Sequence, residues 1–158
     1  EMVPFAAYFK KKGVTDLRFN FIRAEGRAWL AHRLVPTLRQ VAPQAEKLVA
    51  WNERYGKLNI TFGEVPWCFL WRVYRKNKKT FFKYIGELQD ANKDVALLSR
   101  LDSKKFNWQK RRTEKMKKKF SVCGRCMFDT VCEGIYKNYC AVHRDADAIR
   151  PFIYNDRK

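Results

Sequence analysis

The chain opens with helical spacing. In "EMVPFAAYFKKKG", Met2, Phe5, Ala6 and Phe9 recur at intervals of three and four, and the lysines before Gly13 make a helix stop. The period then shortens to two. In "TDLRFNFIR", Leu17, Phe19 and Phe21 alternate with Arg18, Asn20 and Ile22, which predicts a strand. "AEGRAW" reads as a turn about Gly26. Residues 35 to 57 return to helical spacing, with a break or kink expected at Pro43 and a stop at Gly56. "KLNITFGEVP" predicts a second strand, ended by Gly63 and Pro66, and residues 81 to 101 read as helix interrupted near Asn92 and Asp94.

Helix, strand, helix, strand in this rhythm predicts an α/β fold with parallel strands. Two strands are too few for a sheet of their own. Either residues 68 to 100 add more, or the missing strands lie in another part of a larger protein. An opening already inside a helix pattern, with no initiating Met, points the same way. Composition shifts after Ser103: "KKFNWQKRRTEKMKKKF" holds nine Lys or Arg against one Glu. The expected organisation is therefore an α/β segment over 1–103 and a basic, Cys-rich segment over 104–158.

A chain of 158 residues, 46% apolar and 15% aromatic, can bury one ordinary core. Its longest apolar runs are strand-sized, well short of the roughly 20 residues that span a bilayer. No basic-then-apolar leader is visible, so the expected location is cytoplasmic, with no membrane partner and with thiols kept reduced.

That last inference matters for "CGRCMFDTVCEGIYKNYC", which holds four of the five cysteines; the fifth, Cys68, lies in "GEVPWCFLW". Cys123-x2-Cys126 is a thiolate knuckle, whose two-residue spacer lets both sulfurs face one centre. Cys132 follows after five residues. Structural zinc sites use two knuckles, or a knuckle and a His pair, and here there is a single knuckle. Three thiols on one compact loop suit three corners of an iron–sulfur cubane. The fourth ligand is open between Cys68, at the end of the second strand, Cys140 and His143. Against Cys68 stands its setting among aromatics, where a cysteine is usually a small buried hydrophobe.

The run "C-x2-C-x5-C-E-G-I-Y-x2-Y", followed by "IRPF", resembles the C-terminal auxiliary-cluster (SPASM/twitch-like) region of radical SAM enzymes. "LRFNFIRAEGRAW" and "ITFGEVPWCFL" resemble late strands of the barrel of that family. The resemblance runs from about Asp16 to Phe152, leaving 75 to 120 unmatched. It implies the C-terminal part of a partial (β/α) barrel with a small Cys-rich appendage. It also implies an auxiliary [4Fe-4S] cluster on Cys123, Cys126, Cys132 and Cys68, the last because a Cys after Gly-x-Pro often joins that cluster. Asn20 and Arg23, beside Glu25 at the end of the first strand, fall where barrel pockets form.

One departure is decisive. The sequence contains no Cys-x3-Cys-x2-Cys, the motif for the cluster that binds and cleaves S-adenosylmethionine. The chain alone is not expected to generate a radical. Its expected partners are a missing N-terminal half or a separate subunit, and a peptide substrate.

The basic run carries the alternative. Lys and Arg interleaved with Phe106, Trp108 and Phe120, next to a Cys-rich loop, would also suit a zinc-containing nucleic-acid-binding protein. Most such runs are simply solvated faces.

Overall fold

The computed structural model describes residues 1–85, 94–95, 106–143 and 149–153. Helix α1 (Met2–Lys11) turns Ala6 inward, and Lys10 and Lys11 complement the negative end of its dipole. Gly13, at φ 84°, takes the left-handed position that lets its N–H reach Lys10 O at 3.0 Å. Strand β1 (Asp16–Asn20) pairs in parallel with β2 (Asn59–Gly63), setting Leu17 opposite Ile60 and Phe19 opposite Phe62. A parallel pair needs a long crossover, and helix α3 (Leu38–Trp51) supplies it after the single turn α2 (Arg27–Leu30).

Two expectations need correction. Helix α3 does not break at Pro43, which lies inside it. A capping box fixes its start: Thr37 Oγ1 accepts the Gln40 N–H, and Gln40 Oε1 accepts the Thr37 N–H. Pro43 costs the helix one bond, that of the Arg39 carbonyl, on a residue that is exposed. The helix then widens into a π turn (Asn52–Gly56), ended by Lys57 at φ 56°. Fully buried Asn52 latches that turn to the sheet, donating to Leu58 O at 2.9 Å and to Tyr84 Oη at 2.8 Å.

The second correction concerns residues 81 to 101. After a 3-10 turn (Trp67–Leu70), helices α4 (Trp71–Lys76) and α5 (Lys78–Tyr84) follow, and the helix ends at Tyr84. Ile85 is extended and bridges Phe62 in parallel, and β3 (Asp94–Val95) pairs antiparallel with β4 (Phe106–Asn107). The helical expectation for 86–93 and 96–101 lies outside the described residues. Tyr84 is drawn into the core by Phe62 of β2 and Phe81 by Trp67 and Phe128, so their spacing reflects burial rather than a long helix.

Beyond the helical turn α6 (Trp108–Arg111) and a second π turn (Arg112–Met116), β5 (Lys117–Lys118) pairs antiparallel with β6 (Ile135–Tyr136), which leads into α7 (Lys137–Val142). This segment shares one core with the α/β part. Phe128 and Phe152 pack with Trp67, Tyr74 and Phe81, with ring centroids 5.1 Å apart for Trp67–Phe128 and 4.7 Å for Tyr74–Phe152. Among the described residues no helix is long and apolar enough to cross a membrane.

Candidate metal centre

The loop after β5 is wound tightly. In the 3-10 turn Ser121–Arg125 the Cys123 N–H reaches Phe120 O at 2.9 Å and the Cys126 N–H reaches Cys123 O at 2.8 Å. The next turn brings the Cys132 N–H to Phe128 O at 2.8 Å. Cys68 arrives from the other half of the chain, on the 3-10 turn that Pro66 starts directly after β2. The "IRPF" segment closes the third side, where Phe152 O accepts the Met127 N–H at 2.8 Å.

These pieces surround one pocket. Cys68, Cys123, Cys126 and Cys132 all line it, with Trp67, Phe120 and Phe152 among its walls. No disulfide joins any of the five cysteines. Three of the four sulfurs receive a backbone N–H: Cys132 from Trp67 at 3.5 Å, Cys126 from Phe152 at 3.4 Å, and Cys68 from Arg150. Such bonds stabilise thiolate and tune the potential of a bound cluster. Burial pushes the Cys68 thiol up to about 12; the Arg150 N–H opposes this, while Cys132, Cys123 and Cys126 add to it. A thiol so placed stays protonated until a cation takes the proton's position. The buried Trp67 Nε1, on a residue of the pocket wall, has no hydrogen-bond acceptor among the described residues.

The other candidates lie elsewhere. Cys140 rides on α7 and packs against the core, outside the residues lining the pocket. His143 has its Nε2 2.6 Å from Val35 O, a hydrogen bond that occupies the ring nitrogen. Asn20 accepts from Arg18 Nε at 3.0 Å, and Arg23 lies 3.8 Å from Glu25 with its guanidinium 5.8 Å over the Tyr136 ring. Asn20 closes the C-terminal end of the parallel pair and Arg23 follows it, and neither lines the thiol pocket.

A buried ionic network pins the loop to the sheet, and no sequence signal pointed to it. Glu64, at φ 64° just past β2, meets Arg112 at 3.4 Å, Lys117 at 3.5 Å and the Tyr136 hydroxyl. Glu133, next to Cys132, binds Arg112 at 2.5 Å and Lys117 at 2.8 Å. Arg112 and Lys117 belong to the basic run, yet both are buried. Burial, then the hydrogen bond and charge of Glu64, hold the Tyr136 phenol far above its ordinary value, so it remains a donor. The aromatics expected to interleave with the run divide: Phe120 lines the pocket, while the side chains of Phe106 and Trp108 lie outside the described residues.

Among the described residues no three His, Cys, Asp or Glu side chains converge closely enough to hold a single metal ion. The four cysteines instead border a shared space. Compared with known proteins, the chain matches no family model, no curated sequence and no solved structure.

Proposed function

We propose that this chain is the auxiliary-cluster part of a radical SAM enzyme, holding a [4Fe-4S] cluster on Cys68, Cys123, Cys126 and Cys132. One observation carries the reading. The trio's spacing and the distant Cys68 come together around one pocket, with backbone N–H groups on three of the sulfurs. A single Cys-x2-Cys knuckle with a third thiol five residues on suits a cluster better than the paired knuckles or His pair of a zinc site.

Such a cluster would supply one-electron transfer or an open iron site for substrate. The chain's own residues hold the thiolates, screen them behind Trp67, Phe128 and Phe152, and tie the loop to β2 through Glu64 and Glu133. Reduction of S-adenosylmethionine belongs to residues this sequence lacks, on a preceding half or a separate subunit. Asn20, the last residue of β1, and Arg23, just past it, are proposed to face the pocket of the assembled, partly barrel-shaped enzyme, where a peptide substrate would lie.

The test is anaerobic reconstitution with iron and sulfide, followed by metal, sulfide and visible absorption assays. The expected product is brown, with about four irons per chain. Cys68→Ala should lose most of the iron, and Cys140→Ala should keep it. A colourless chain with one tight zinc would overturn the reading in favour of the zinc-containing nucleic-acid-binding protein.

A further inference from the structure

Cys68 separates two cavities. On its other side lies a space of about 180 Å³, walled by α3, α4 and the C-terminal segment. Its floor is apolar, with Leu38 and Phe69 both buried. Three guanidiniums line it, those of Arg39, Arg72 and Arg150, against one carboxylate, Glu46, which lies 3.3 Å from Arg72. The indole of Trp71 gathers this charge: Arg72, Arg75 and Arg150 sit 5.6, 5.7 and 5.0 Å from its ring. Guanidiniums stay charged at any ordinary pH, and among the lining residues the one carboxylate, Glu46, is paired with Arg72, so an entering anion meets a cationic wall.

We propose that this cavity is a binding site for a carboxylate carried on an apolar stem, of the kind a glutamyl side chain of a peptide presents. Size and shape select that class. At about 30 Å³ per water the cavity holds roughly six waters, enough for one small side chain. The planar forks of arginine match the two oxygens of a carboxylate, and the apolar floor takes the methylenes. A phosphate would call on the N-terminal amides of α3, and those of Leu38 and Gln40 are already engaged. Thr37 Oγ1 takes the Gln40 N–H, and Tyr139 Oη takes the Leu38 N–H at 2.8 Å. The site stands whether or not the thiol pocket holds iron, although Arg150 serves both, with its side chain here and its N–H on Cys68.

Calorimetric titration of the whole chain with N-acetylglutamate, N-acetylglutamine and inorganic phosphate tests it. The acid should bind one per chain, at least about tenfold more tightly than the amide or phosphate. Arg150→Gln and Arg72→Gln should each weaken the acid about tenfold. Arg54→Gln, where the guanidinium stacks on Tyr55 instead, should leave binding unchanged. Arg72 is more than half exposed, so its variant remains informative should Arg150→Gln fail to fold. Equal binding of acid and amide, preference for phosphate, or folded arginine variants that bind like the parent would each overturn the assignment.

Discussion

Removing the charge of Glu133 is the most demanding test of how the thiol loop is held. Glu133 faces Lys117 Nζ at 2.8 Å and Arg112 at 2.5 Å, and the three side chains are 6%, 0% and 3% exposed. With Glu64 they form a set of two cations and two carboxylates. Glu133→Gln keeps the shape and removes the charge of one of the two carboxylates that face Arg112 and Lys117. At an effective dielectric of about 20, a unit pair 2.8 Å apart is attracted by about 6 kcal/mol. The cost of desolvating the ions offsets part of this, so the net loss should be about 3–5 kcal/mol. For a chain of this length that lowers Tm by about 10 °C, read by thermal and urea unfolding. The partner variant Lys117→Met should cost a similar amount alone. Combined with Glu133→Gln it should recover about 1–3 kcal/mol, because the stranded charges leave together. Since Glu133 adjoins Cys132, iron uptake should fall with stability. A Glu133→Gln protein within about 0.5 kcal/mol of the parent would refute the argument, showing that water reaches these groups.

Gly134 lines the thiol pocket at φ 83°, and a methyl group there would overlap the Lys118 carbonyl of the facing strand. Gly134→Ala should therefore cost about 2–4 kcal/mol in urea unfolding, whereas Gly124→Ala, with nothing within 4 Å, should be neutral. Glu53 tests acid stability. The hydrogen bond from Lys83, at 2.7 Å, holds its carboxyl below the usual value, aided by Tyr84 and opposed by burial. A depressed folded pKa gives stability that is present above the unfolded value, about 4.3, and is lost as pH falls through the folded one. Lys83→Met should shrink that contribution, so the variant and the parent should converge in Tm at the acid end of a pH series. A constant gap from pH 7 to the acid limit would rule out this linkage.

Local pattern determined a good deal of this protein. Period-three and period-two spacing placed α1, β1 and β2, because amphipathic faces are written into neighbouring residues. The knuckle and its third thiol were legible because ligand spacing on one loop is a local property. Long-range assembly was not. The resemblance pointed to Cys68 over Cys140 as fourth ligand, but that Cys68 shares a pocket with the trio is a property of the fold, which brings the residue after Pro66 to the residue before Glu133. The basic run reads as solvated charge because its counterions, Glu64 and Glu133, are remote from it or hidden in the cysteine loop. Pro43 reads as a break because sequence shows the lost N–H but not the cap and packing that carry α3 past it. The arginine-lined cavity had no sequence signature at all. Arg39, Arg72 and Arg150 come from three separate segments, and only tertiary packing brings them to the walls of one cavity.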